Sequence, residues 1–229
     1  MPLKEQLAKV PMKNDMPRRG LLIAVEGGTA SNKEKIVEKI KSELSDPVIL
    51  DFSAIIKQSP ICQEYMATFA NKVSIYQIKI ACIRDHENEI KRHLLEGNMV
   101  IALDYLCAPI AAAHLDDCFG VSAMQNNAAY RTLLSQFRGV LLPDITVLVQ
   151  PRTQTAVDRL IKRGEIDNED DYMYSNYREL ERRLRTATNY LDNVVVFDAD
   201  PIHMESEMIN FLTMASITDA YQPLAFYSC

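Results

Sequence analysis

Residues 26–34, Glu26-Gly27-Gly28-Thr29-Ala30-Ser31-Asn32-Lys33-Glu34, come after an apolar run, Gly20–Glu26 (GLLIAVE), and lead into a stretch with helical periodicity. Ile36, Val37, Ile40 and Leu44 recur at i, i+1, i+4 and i+8, which predicts a helix from Asn32 to Leu44 with one apolar stripe. A glycine-bearing loop between a strand and a helix is the place of a phosphate-binding loop of the pattern G-x-x-x-x-G-K-[ST]. Gly27 and Lys33 keep that spacing, with Gly28 and Ser31 between them. Asn32 stands where the pattern has its second glycine, and Glu34 where it has serine or threonine. An ordinary strand-to-helix turn carrying a surface lysine is the alternative reading.

The two departures differ in consequence. The glycine lets the backbone turn its N–H groups toward phosphate oxygens. Asparagine tolerates the left-handed region better than most residues, so the turn is expected to survive, with a side chain crowding it. The hydroxyl at the last position binds the Mg²⁺ that bridges two phosphates. Glu34 puts a negative charge there instead, and like charges about 4 Å apart at an effective dielectric near 20 repel by about 4 kcal/mol.

Outward from this loop, four more continuous apolar runs read as strands buried on both faces: Pro47–Phe52, Met99–Asp104, Asp144–Gln150 and Asn193–Asp198. Helical stretches lie between them. They are predicted at Ser74–Glu96, ending at Gly97, at Asn127–Phe137, stopping before Gly139, at Thr153–Arg163, ending at Gly164, at Tyr172–Tyr190 and at Met204–Met214. Alternating strands and helices imply a parallel sheet with right-handed crossovers.

The chain of 229 residues fits one domain, and 48% apolar with 24% charged residues is ordinary globular usage. The expected division is an N-terminal arm over 1–19, one domain over 20–217 and an apolar, aromatic C-terminal tail over 218–229. A net charge of −6 argues against nucleic acid and anionic membranes as partners. No apolar run is long enough to span a bilayer, and the first nineteen residues lack a secretory apolar region. The cysteines Cys62, Cys82, Cys107, Cys118 and Cys229 are scattered and without a C-x-x-C pair. They read as reduced thiols in a cytoplasmic protein. His86 and His93 share one helix side but have no partners at zinc spacing, so no metal site is expected. Asp116-Asp117, Asp198 and Asp200 read as caps and strand ends, and Glu179 with Arg182, Arg183 and Arg185 as a salt-bridged helix face.

Taken together, residues 20–214 resemble the thymidylate kinases and, more distantly, the deoxynucleoside kinases. RGLLIAVEGGTASNK is similar to the first strand and phosphate loop. ACIRDHENEI is similar to the helix with a substrate-contacting arginine, here Arg84. GNMVIALDYL is similar to the third strand ending in an Asp-Arg pair, with Asp104 in the aspartate place. LPDITVLVQPRTQTAVDRLIKRGE is similar to the strand and helix before the lid, and NVVVFDAD to the last strand. The resemblance implies a P-loop kinase type of α/β fold, a five-stranded parallel sheet with helices on both faces, and a homodimer. It implies that Gly27, Gly28, Ser31, Asn32, Lys33 and Glu34 form the nucleotide site. Lys33 would hold the β/γ-phosphates, Asp104 would orient the acceptor or metal, Arg84 and the residue at Tyr105 would contact substrate, and Arg159 and Arg163 would serve the lid.

Several positions depart from that pattern. Tyr105 stands where an arginine holds substrate phosphate, and Asp51-Phe52-Ser53 where another arginine is expected. Ile80 stands where an aromatic ring stacks on the base, and the lid region, residues 165–171, carries five carboxylates. Phosphoryl transfer is mostly positioning and charge stabilisation, and losing one clamp can cost about 3 kcal/mol. Two functions compete. One is a degenerate kinase relative with little or no transfer, which needs no cofactor and works by binding a nucleotide or a protein partner. The other is an active nucleotide kinase moving the ATP γ-phosphate to dTMP or a related nucleotide, with Mg²⁺ and ATP.

Overall fold

In a computed structural model the chain is described over residues 19–28, 30–44, 46–68, 72–114, 128–165, 172–197 and 204–218. The expected strands form as β1 (Leu22–Gly27), β2 (Val48–Asp51), β3 (Val100–Leu103), β4 (Ile145–Val149) and β5 (Val194–Phe197). They make one sheet in the order β2-β3-β1-β4-β5. Every pairing is parallel, with Val25 opposite Leu103 on one side and Val147 on the other. β1 thus lies in the middle, and its carboxyl end opens into the Gly27–Lys33 loop.

The predicted helices are present with small shifts at their ends: α1 (Lys33–Glu43), α4 (Lys72–Leu95), α6 (Ala128–Phe137), α7 (Thr153–Lys162), α8 (Tyr172–Ala187), with a 3-10 turn after it at Thr188–Tyr190, and α9 (Met204–Thr218). Gly97, Gly139 and Gly164, at the three helix ends read from sequence, all have positive φ. Three helices were not expected: α2 (Phe52–Gln58), α3 (Pro60–Thr68) and α5 (Cys107–His114). α2 starts on an Asp51 cap whose carboxylate accepts from the Ala54 amide at 2.9 Å.

Alternation along the strands divides the core between the two sheet faces. Leu22, Ala24, Val100, Ala102 and Leu148 pack against Ile80, Ile83, Ile90, Phe137 and Leu184 of α4, α6 and α8. Ile23, Val25, Ile101, Leu103 and Val147 pack against Ile36, Ile40, Met208 and Phe211 of α1 and α9. A small third cluster joins Ala30 of the loop to Ala156, Val157 and Leu160 of α7.

Of the expected N-terminal arm only Arg19 is among the described residues. Its guanidinium donates to both oxygens of Asp144, and the Leu22 amide donates to the same carboxylate at 2.8 Å. The acidic lid beyond Glu165, the aspartates at 116, 117, 198 and 200, and the tail beyond Thr218 lie outside the described residues. Glu179 does pair with Arg182 and Arg183, at 2.7 and 2.6 Å. No helix among the described residues is long and apolar enough to cross a membrane.

Candidate functional site

β1 and β3 are neighbours and run in parallel, so the segments that leave their ends emerge side by side at the sheet's carboxyl edge. Gly27 closes β1. A Cβ there would lie 2.6 Å from Ser31 Oγ and 2.8 Å from the Val149 carbonyl, so only glycine fits. The loop then turns on itself: the Ser31 amide and hydroxyl both donate to the Gly28 carbonyl, at 3.0 and 2.7 Å. Asn32 has φ 58 and ψ 35, the left-handed conformation that the pattern's glycine would take. The turn therefore survives the substitution. Asn32 Oδ1 accepts from Arg163 at 3.3 Å, and Arg159 donates to the carbonyls of Ala30 and Ser31 at 2.9 and 3.4 Å. The two basic residues of α7 brace the loop from the β4 side.

Lys33 opens α1 and folds back toward β1. Its ammonium donates to the Gly27 carbonyl at 3.3 Å and lies 3.0 Å from Asp104 Oδ1. Asp104 is the first residue after β3, has φ 54, and is tied to β1 by its amide, which donates to the Val25 carbonyl at 3.0 Å. Ser53 at the start of α2 donates to Asp104 Oδ2 at 2.8 Å. Burial pulls the Asp104 carboxyl upward. Lys79 and Lys33 and the hydrogen bonds from Lys33 and Ser53 outweigh it and hold the group below its ordinary value. Lys33, Asp104 and Ser53 thus meet at one point beside the loop.

Glu34 is exposed in the first turn of α1, where a carboxylate favours the helix dipole. The donor set does not fit a phosphate-bridging Mg²⁺ held as a P-loop holds it. Position 34 has no hydroxyl, the Ser31 hydroxyl is spent on Gly28, and Asp104 is paired with Lys33. Among the described residues no three His, Cys, Asp or Glu side chains converge as metal ligands.

Other residues singled out in the sequence do not join this point. Tyr105 is fully buried, its hydroxyl donates to the Leu141 carbonyl at 3.0 Å, and its ring packs 5.5 Å from that of Phe52. Arg84 is exposed, and its guanidinium donates to the carbonyls of Gln136, at 3.0 Å, and Arg138 at the end of α6. Ile80 is sealed in the core. His86 donates through Nδ1 to the Cys82 carbonyl at 2.9 Å and meets Phe52 edge-on. Cys62 and Cys82 carry free thiols on a cavity of about 540 Å³ between α3, α4 and α6.

Two charged residues of the site were not singled out from the sequence: Glu26 and Lys79. Glu26 ends the buried part of β1 on the face toward α5, and its Oε1 accepts from the amides of Leu106 and Cys107 at 2.6 and 3.0 Å. Burial raises its pKa above 4.5, with a further push from Asp104, against the pull of Lys79 and the two amides. A carboxyl whose folded pKa is raised contributes stability that is full below the unfolded value and is lost as pH rises through the folded one. Glu26→Gln keeps an oxygen for both amides and has no charge to bury. The denaturant midpoint of the wild type, taken relative to that of Glu26→Gln at each pH, is therefore expected to fall from acid to neutral pH, while Asp104 and Glu179, held below their ordinary values, add a rise with pH that both proteins share. Parallel curves would show that Glu26 is not desolvated.

No protein-family model matches the chain, and no curated protein matches it. Solved structures do. Thymidylate kinase from Candida albicans superposes with a TM-score of 0.66 at 16% identity, over 93% of this chain and 100% of that one. Deoxyadenosine kinase from M. mycoides, in a structure with bound dATP, gives 0.56 at 20% identity, over 83% of this chain and 98% of that one. Another structure of that enzyme gives 0.54 at 19% identity. At such identities the likeness is one of fold, and it spans nearly the whole length of both chains. The chain therefore has the fold of the nucleotide kinases, in a divergent thymidylate-kinase-like form.

Proposed function

We propose that this protein binds a nucleotide at the carboxyl edge of its sheet and transfers phosphoryl groups little or not at all. The observation that carries the reading is the mismatch within one loop: Asn32 keeps the left-handed turn that shapes a phosphate site, while position 34 offers an exposed carboxylate in place of a metal-binding hydroxyl. Transfer depends on a metal bridging the phosphates, and binding of a monophosphate does not.

A second reading, an active nucleoside monophosphate kinase using Mg²⁺ and ATP, is favoured by one specific contact. Lys33 and Asp104 stand 3.0 Å apart, as a phosphate-binding lysine and an acceptor-orienting carboxylate would. A radiolabelled γ-phosphate transfer assay with dTMP, run beside calorimetry, separates the two. The expected result is no dTDP and a constant for Mg-ATP weaker than about 1 mM. Robust dTDP formation, or micromolar Mg-ATP binding, would defeat the first reading.

The partner we propose is a second copy of this chain, in the cytoplasm. Ile61 is 80% exposed and Ile75 45% exposed on the α3–α4 side, apolar surface that a homodimer would cover. The free thiols of Cys62, Cys82 and Cys107 suit a reducing compartment. Sedimentation equilibrium should give a dimer that Ile61→Glu shifts to monomer.

A further inference from the structure

Cys62 and Cys82 belong to different helices, α3 and α4, and both line the cavity that these helices enclose with α6. Both are free thiols and both are half-buried, whereas Cys107 is sealed in the core. The cavity thus gives a small oxidant access to these two sulfurs, and the packing of Cys107 denies it. A disulfide brings its two Cα atoms within about 7 Å. α3 can settle to such a distance without unseating any core residue, because it buries none of its own. α4 is the fixed partner: Ile80, Ile83 and Ile90 anchor it to the sheet, and Cys82 itself packs against that cluster.

The two thiols are not equivalent. Cys62 sits in the first turn of α3, the end of a helix that favours negative charge, and its amide donates to Ser59 Oγ at 3.3 Å. Cys82 lies in the middle of α4. Burial pushes its thiol up to about 11, with further pushes from Cys62 and then Asp85, against the pull of Lys79. The push from Cys62 agrees with the shared cavity in setting the two sulfurs near each other. Cys62 is therefore the thiol that attacks an oxidant, and Cys82 the one that resolves the product.

We propose that Cys62 and Cys82 are a redox modification site, a reversible thiol–disulfide pair that fastens α3 to α4 across their shared cavity when a small-molecule disulfide, oxidised glutathione, is in excess. The Cys62 thiolate attacks one sulfur of the oxidant. A mixed disulfide forms as the glutathione S–S bond breaks, and the departing glutathione thiolate takes up the proton that Cys62 lost. Cys82 gives up its proton in turn and attacks the Cys62 sulfur. The second glutathione thiolate leaves with that proton. Two protein thiols lose one electron each and one glutathione disulfide gains both, and excess reduced glutathione runs the sequence backwards. In a reducing compartment the bond is transient, which is the use such bonds have there. The pair lies outside the crevice, so its loss leaves the nucleotide reading standing. The test incubates the full chain with oxidised glutathione in the absence of denaturant, then blocks the remaining thiols and maps the peptides by mass. The expected product is a Cys62–Cys82 link within one chain, which dithiothreitol removes. Oxidised wild type should unfold about 5–10 °C above the reduced form. Cys82→Ser should retain glutathione on Cys62, Cys62→Ser should form no bridge, and neither should gain in unfolding temperature. A bridge through Cys107, Cys118 or Cys229, a Cys62–Cys62 link between chains, or glutathione left unresolved on Cys62 of the wild type overturns the proposal. So do two unmodified thiols, a Cys62–Cys82 link that forms only in urea, and a link that leaves the unfolding temperature unchanged. Should a serine variant fail to fold, the wild-type map still decides.

Discussion

Tyr105→Arg is expected to destabilise the protein by at least about 3 kcal/mol, and to leave dTMP binding no better. The resemblance to thymidylate kinases makes this the obvious restoring substitution, because an arginine after the third-strand aspartate would hold substrate phosphate. The structure places position 105 elsewhere. The tyrosine ring is sealed against Phe52, and its hydroxyl has one acceptor, the Leu141 carbonyl. A guanidinium would bring five donors into that space. The nearest carboxylates are already engaged, Glu87 with the Leu141 amide and Lys91, and Glu26 with Leu106 and Cys107. Urea unfolding measures the loss. Tyr105→Phe is the control: it keeps the ring, strands the Leu141 carbonyl and should cost about 1 kcal/mol. A Tyr105→Arg variant with wild-type stability would mean that position 105 can face the crevice after all.

The direction of that side chain illustrates what the sequence could and could not reveal. The sheet was legible because strands buried on both faces need unbroken apolar runs, and five such runs alternate with helical stripes. Lys33 and Asp104 were legible because the strand ends fix them. Parallel neighbours β1 and β3 deliver their next residues to one edge, whatever the helices do. Tyr105 was not, because Asp104 has φ 54, and that left-handed turn sends the next side chain into the core. The resemblance implies a substrate role for Arg84, whereas the rotation of α4 brings its guanidinium to the carbonyls at the end of α6.

The helices that escaped notice lack the stripe that periodicity detects. α3 buries none of its residues, and α5 is apolar nearly all round with Pro109 inside it. Lys79 did leave a trace. It sits one turn before Ile83 on α4, beside the fully buried Ile80, so a lysine occupies a place where the stripe calls for an apolar residue. A charged residue at a core position of an amphipathic helix is the signal that reading for motifs passes over, because it belongs to no motif. Glu26 is the same kind of signal, a carboxylate at the buried end of a strand.

Asn32→Gly combined with Glu34→Thr is expected to raise Mg-ATP affinity about tenfold to a hundredfold and to produce no dTDP. Asn32 already holds the left-handed conformation, so glycine changes the loop's shape little and clears its side chain, at the loss of a 3.3 Å contact from Arg163. Threonine at 34 supplies the hydroxyl and removes a charge that opposes the phosphates. The gain is less than the full repulsion of two close charges, because Glu34 is exposed and water and salt screen it. Stability should change by no more than about 1 kcal/mol, since a first-turn carboxylate contributes about that much to a helix. Affinity alone does not place an acceptor in line with the γ-phosphate. Ile80 lies in the core where a stacking ring is expected, and Arg84 faces α6. An acceptor without those contacts samples many orientations, and transfer demands one. Calorimetry with Mg-ATP and a radiolabelled transfer assay on wild type, both single variants and the double variant check both halves. Unchanged ATP affinity in the double variant would show that the lesion at positions 32 and 34 is not what weakens the loop. Robust dTDP formation would show that the acceptor is already oriented, and that a missing metal hydroxyl alone silences the enzyme.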